Sequence, residues 1–469
     1  MLWSNKVALA AEGGDKLKPI KATWFILTAG IFILIFSTLL GASIVSKYNE
    51  INGFYKTNKV SVNILSNKSL QGKSSFTQDD IRHLQQFSFK DTDMAYAAES
   101  KSLAVYGENQ TQANVLGVSD KYEMFHQIRL ESGSFITSEN RNEMVAVVDK
   151  ELAIALFNNT NIIGMYIDLY DQRFRIIGVI DPDMSIIQTL ADNGYGNIYM
   201  PVEHMLEYDA NSKITSLEFR AASMGTTGKN VSGMTEALAS IGKDASNYKI
   251  IDYNIEKILL EEKALFGIFI PGIGIIIMLL LLIKKRVVEI YAAINSALKE
   301  NYFKDAIKLK YIKPGLLLLE IITALLFVYL VWDTVKFSIY IPTEYVPDEL
   351  IDIGFFSELF KSLVQNKVQS AGYIPSSPEM KANVLSAIQS WNLYVGVLAG
   401  FPLYFLGLRL LELRNENTVK RLLYCCTVLL FSIILGLFIL GIFNMPIVVN
   451  TKGVLIVFAF VFLSAVKIE

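Results

Sequence analysis

Few residues in this chain of 469 have the type and spacing needed for chemistry. The three histidines, His83, His126 and His204, stand apart without ligand spacing, so a surface or packing role is expected for each. Cys425 and Cys426 are adjacent inside an apolar run, where neighbours rarely close a disulfide and two thiols cannot build a zinc site. "NKSLQGKSS", residues 67–75, nearly spells a phosphate-binding loop, but Asn67 stands where the tight turn needs glycine. An ordinary loop is expected there, and no other stretch resembles a nucleotide site. Asp181-Pro182-Asp183 reads as an acidic turn rather than a metal site. No nucleophile–base–acid set is visible, so no catalytic, cofactor-binding or metal residues are assigned. Glu320 is different. It is an ionisable group two turns into an apolar run, which is costly and often functional, the bland reading being that it snorkels toward Lys313.

The elements that carry these residues are largely membrane elements. The chain is 52% hydrophobic, with a mean hydropathy of +0.37. Its formal net charge is -2 with no basic, aromatic-interleaved patch, so no nucleic-acid partner is expected. Residues 22–46 contain no charge and exceed the roughly 30 Å hydrocarbon core; the run is too long and begins too late for a cleavable signal peptide. Further runs cover 264–283, 314–332 (interrupted by Glu320), 391–408 and the stretch between Arg421 and Lys452, with a short sixth at 453–466. Lysine and arginine crowd residues 1–21, 284–313 and 409–421, which places all three on the cytoplasmic side. Residues 47–263 and 334–390 then lie outside. The expected fold is an α-helical polytopic cell-membrane protein with an inserted α+β extracytoplasmic domain.

That order is an N-terminal cytoplasmic segment 1–21, a first helix 22–46 and an outer domain 47–263. Helices two and three follow in 264–333 around the cytoplasmic segment 284–313. An outer loop 334–390 and C-terminal helices 391–469 complete it. In the outer domain, strands are expected in "KVSVNILS", "SLAVYGE", "ANVLGVS", "EMVAVVD", "GNIYMP", "ITSLEFRAA" and "YKIIDYN". Helices are expected in "TQDDIRHLQQF" (Thr77 as N-cap), "KELAIALF" and "VSGMTEALASIG". "IGMYIDLY" and "RFRIIGV" alternate at a period of two and predict a hairpin cornered at Asp171-Gln172. In the outer loop, residues 353–368 place Ile353, Phe356, Leu359, Phe360, Leu363 and Val364 on one helical face, lying on the outer leaflet or packing against the outer domain.

Gly117-Val118, "LESGSF", "VAVVDKELAIALF", Ile163-Gly164, "FRIIGVI" and "IYMP" occur in that order across residues 115–201. Together they resemble the extracytoplasmic core domain of MacB-type ABC permeases. The resemblance implies two lobes, one from residues 50–113 and 214–254 and the other from 115–200. Residues 287–320 are similar to the FtsX-type pattern, in which an acidic-led coupling helix precedes the next span: Glu289-Ile290 matches its start and Glu320 the glutamate of that span. Ile294 and Ala297 stand where a basic residue and a glycine are usual. Ile290, Ala293, Ile294 and Ala297 recur at three- and four-residue spacing, an apolar stripe on a short helix over 287–303. The resemblance implies a permease subunit that transmits the motion of a separate cytoplasmic ATPase, in two copies, to the outer domain. ATP and magnesium would belong to that ATPase and no cofactor to this chain. A second permease chain, an outer partner protein and the bilayer are the other partners implied. The alternative is a membrane receptor or scaffold that senses an outer ligand without transport.

Overall fold

The computed structural model describes residues 18–65, 74–90, 92–181, 183–221, 229–300, 312–342, 345–346, 353–369, 373–414 and 416–466. The near phosphate-binding loop at 67–73, most of the N-terminal segment, and residues 301–311 of the coupling segment lie outside them. The chain divides into a helical unit (Met1–Val45, Leu260–Ile339, Ala387–Glu469) and an α/β unit (Ser46–Leu259, Tyr340–Ser386).

The long helices are α1 (Lys18–Ile51), α2 (Tyr253–Glu300), α3 (Ile312–Val335), α4 (Ile353–Gln369), α5 (Ser377–Val395), α6 (Phe401–Glu412), α7 (Thr418–Ile442) and α8 (Thr451–Ala465). A π-helical turn, Gly396–Gly400, joins α5 to α6. Among the described residues, five stretches are long and apolar enough to cross a membrane: Ala22–Ile51, Tyr253–Ser296, Pro314–Val335, Ser377–Glu412 and Thr418–Ile442. The 15 residues of α8 reach only about 22 Å, short of the hydrocarbon core. Helices overrun the apolar runs that announce them. α2 begins at Tyr253, well ahead of Ala264, because Glu256 to Lys263 are good helix formers and nothing there breaks the ladder.

The helical unit packs by close backbone approach. A Cβ on Gly30 of α1 would sit 2.4 Å from the Tyr404 backbone nitrogen of α6, and one on Gly407 would sit 2.7 Å from Leu27 Cα. Between membrane helices, where lipid is as apolar as leucine, such small residues supply the attraction through packing.

The α/β unit is built on one ten-stranded sheet. Its strands are β1 (Lys59–Ile64), β2 (Met94–Tyr106), β3 (Asn109–Val118), β4 (Leu130–Gly133), β5 (Val145–Asp149), β6 (Tyr166–Leu169), β7 (Gln172–Ile180), β8 (Gly196–Pro201), β9 (Ile214–Arg220) and β10 (Tyr248–Asp252). The order is β10-β1-β9-β2-β3-β8-β5-β7-β4, with β6 pairing β2 and β7 off this path. The β2–β3 hairpin, in register from Ala97↔Val118 to Tyr106↔Asn109, is the seam between the two groups of strands. β2 starts at Met94, earlier than expected, because "MAYAAES" pairs with β9 as well as β3. The helix Lys150–Phe157 forms where expected: the Asp149 side chain accepts from Leu152 N at 2.8 Å, and Asn158 closes it at φ 52°. The β6–β7 corner falls one residue earlier than the sequence suggested. Leu169 pairs Gln172, and Tyr170 and Asp171 form the two-residue loop at φ 52° and 58°. Two positive φ values are the requirement of a tight hairpin turn that matches strand twist.

Strand alternation gives the sheet two unlike faces. Val60, Val62, Ile64, Leu217, Phe219, Ala113 and Val115 join the main apolar core. On β1 the intervening Lys59, Ser61 and Asn63 are buried as well.

Candidate functional site

Polar side chains removed from water need partners, so the polar face of the sheet shows where the fold has spent design. In the β1–β9 register Ser61 faces Glu218 and Asn63 faces Ser216. Glu218, 5% exposed, lies 3.2 Å from Lys59 Nζ through one oxygen and 2.5 Å from His126 Nε2 through the other. Lys59 also donates to the Phe125 carbonyl at 2.5 Å and stands 4.4 Å from the Tyr253 ring. Burial lowers the Lys59 and His126 pKa values, because it disfavours their charged forms. Burial opposes the Glu218 carboxylate too, yet His126 and Lys59 hold it below its ordinary range. His126 is thus at the centre of a buried charge cluster. The packing role expected from sequence fits only His83, against Phe87, and His204, stacked on Tyr208. The signal available was the alternation Lys59, Ser61, Asn63, which put a lysine on a strand face.

Above this floor lies a cavity of about 370 Å³, lined among others by Glu99, Asn114, Tyr122 and Tyr373. Asn114 donates to Asn197 and its own Oδ1 has no partner among the described residues. Tyr373, Ser376 and Pro378 close one side. They are held by Glu379, 2% exposed, which takes Lys249 at 2.6 Å, Asn63 at 3.4 Å and the Tyr373 hydroxyl. Part of the expected outer loop 334–390 is therefore an ordered wall of the α/β unit.

A second cluster surrounds the last turn of α1. Lys47, 2% exposed, lies 2.9 Å from Asp183 and 3.6 Å from Glu50, and Glu50 accepts from Arg129 at 2.6 Å and Gln127 at 2.9 Å. The acidic corner at 181–183 thus supplies the counter-ion of a buried lysine. Burial raises the Asp183 carboxyl, but Lys47 and the Ser185 hydrogen bonds leave it below its usual value.

The expected coupling residues lie on α2, which is continuous to Glu300. No glycine or proline interrupts residues 284–300, so the separate short helix expected over 287–303 is instead the continuation of the second span, as far as it is described. Glu289 pairs with Arg286 at 2.8 Å, and Arg286 lies 2.7 Å from Glu320 on α3. Glu320 is therefore neutralised across helices by Arg286, a partner the sequence did not nominate over Lys313. Ile290 and Ala293 are half-buried, while Val287, Tyr291 and Ile294 expose an i, i+4, i+7 stripe; the Ala297 side chain is outside the described ones.

Residues 22–237 match the family described as the MacB-like periplasmic core domain. The chain is 24% identical over 249 residues to an uncharacterized ABC transporter permease, YknZ, of Bacillus subtilis, covering 48% of this chain and 59% of that one. It is 25% identical over 206 residues to the macrolide export ATP-binding/permease protein MacB of Aggregatibacter actinomycetemcomitans, covering 41% and 32%. The chain thus spans less than two thirds of the length of these relatives. Among solved structures, the periplasmic region of MacB from Actinobacillus actinomycetemcomitans superposes with a TM-score of 0.37 at 20% identity, over 45% of this chain and 94% of that one. Residues 22–237 therefore carry a MacB-like periplasmic core domain, and the chain as a whole is similar to ABC transporter permeases of the MacB/YknZ type.

Proposed function

We propose that this chain transmits ATP-driven motion of a separate cytoplasmic ABC ATPase, present in two copies with ATP and magnesium, to the α/β unit on the outer side. A second permease chain completes the assembly. The work done there is extrusion of a peptide, antibiotic or lipid-linked cargo, or control of an outer partner protein. One observation carries this reading. α1 is one unbroken helix that contains a stretch apolar enough to cross a membrane, and its last turn is pinned by Lys47–Asp183 and Glu50–Arg129. A rigid helix fixed in this way passes displacement on instead of absorbing it in a linker.

Glu289, Ile290, Ala293, Ile294 and Ala297 are the proposed ATPase-facing residues, with Glu320 and Arg286 stiffening the α2–α3 pair behind them. Replacing Ala297 by Asp puts a charge into any buried contact, costing on the order of a few kcal/mol if unpaired. In the purified complex the variant should lose stimulated ATP hydrolysis while inserting and folding normally. Unchanged hydrolysis together with unchanged subunit association would sink the assignment.

The roofed polar cavity favours a second reading, a receptor or scaffold sensing an outer ligand. Purification of the native chain with an ATPase supports the first reading; purification with a kinase and no ATPase supports the second.

A further inference from the structure

Exposed large apolar side chains are unevenly distributed over the α/β unit. Among the described residues, eight lie in 340–386 and only eight in 46–259, a stretch more than four times as long. Helix α4 holds the densest group. Phe356, Phe360, Leu363 and Val364, at i, i+4, i+7 and i+8, are 51%, 69%, 44% and 47% exposed. Phe355 and Leu359 beside them are half-buried, and Glu358, Lys361, Ser362 and Gln365 fill the opposite face. A soluble surface carries such residues singly, and a contiguous stripe marks a contact. At 17 residues α4 is about 25 Å long and its polar face is charged, so it does not span.

We propose that α4 lies flat in the interfacial layer of the bilayer, with Phe356, Phe360, Leu363 and Val364 among the acyl chains and Glu358, Lys361 and Gln365 toward water. The geometry is that of a monotopic amphipathic helix. The occupant is lipid for two reasons. The chain enters this connection from α3 and returns through α5, both part of stretches apolar enough to cross a membrane, so α4 lies on a connection between two membrane segments, the first turn of α5 being held on the α/β unit by Glu379. A stable contact with a second protein needs about 800 Å² and 20–30 residues per side, far more than one stripe of four side chains.

The test places the photoreactive analogue benzoylphenylalanine at residue 360, and separately at 365, in the full chain. The protein is reconstituted in vesicles of phosphatidylethanolamine and phosphatidylglycerol, irradiated, and examined by mass spectrometry. Lipid adducts at 360 and none at 365 are expected. A cross-linked dimer from 360 overturns the proposal in favour of a second copy. Absence of any adduct at 360 overturns it in favour of a solvated helix, and equal adducts at both positions overturn the flat orientation. If the variant at 360 misfolds, the same probe at 356 must give the lipid adduct.

Discussion

Lys47 Nζ on the last turn of α1 lies 2.9 Å from Asp183 Oδ2, although 136 positions separate them in the chain. The lysine is 2% exposed, and its ion-pair partners are Asp183 and Glu50, the latter at 3.6 Å.

Removing one partner leaves a buried charge behind, whereas removing both does not. With Glu50 still in place, Asp183→Asn should cost about 1–3 kcal/mol, below the 3–5 expected for a fully isolated ion. The double variant Lys47→Met with Asp183→Asn should lose less than the two single losses combined. Because the folded Asp183 carboxyl is held below its unfolded value, this stability is present above about pH 4 and disappears as pH falls through the folded value. Thermal unfolding of the four proteins between pH 3 and 7 measures both effects, and strict additivity would refute the pairing.

Asp149 behaves in the opposite sense. Burial raises its carboxyl from 3.8 to about 6 despite hydrogen bonds from Asn197 and Leu152. A folded value above the unfolded one gives stability that is full below about pH 4 and lost as pH rises through about 6. Asp149→Asn keeps an acceptor for the helix cap and removes the ionisation, so it should flatten this dependence. Asp149→Ala should cost about 1 kcal/mol through the lost cap. A melting temperature for Asp149→Asn that still falls between pH 5 and 7 as the parent's does would refute the assignment.

The β6–β7 turn carries two non-glycine residues at positive φ, Tyr170 and Asp171. Each costs roughly 1–2 kcal/mol relative to ordinary backbone, and Asp171 is exposed. Asp171→Gly should therefore stabilise the α/β unit by about 1 kcal/mol. Unfolding in denaturant provides the comparison, and destabilisation would mean the side chain has a role not seen here.

Gly30 and Gly315 both sit in helices, where alanine is intrinsically better by about 1 kcal/mol. Nothing stands within 4 Å of a Cβ on Gly315, so Gly315→Ala should stabilise. A Cβ on Gly30 would meet Tyr404 backbone at 2.4 Å, which cannot yield without moving α6. Overpacking of this kind costs about 1–3 kcal/mol and should outweigh the propensity gain. The two variants should move detergent-solubilised thermal stability in opposite directions.

The sequence alone determined what depends on neighbours along the chain. Apolar run length located the five stretches among the described residues that are apolar enough to cross a membrane, and local residue pattern placed the helix Lys150–Phe157 and the strand Gly196–Pro201. Ordered local motifs between residues 115 and 201 were enough to suggest the core-domain family. The tertiary structure decided which distant charges meet. Glu320 could be recognised as costly, but its choice of Arg286 over Lys313 depends on how α2 and α3 lie side by side. Asp183 read as a turn residue because its counter-ion is far along the chain on α1, and His126 looked isolated because Glu218 and Lys59 reach it through the register of β1 and β9. Desolvation makes these pairings obligatory once the groups are buried, and burial is a property of the folded surface that local residue spacing does not specify.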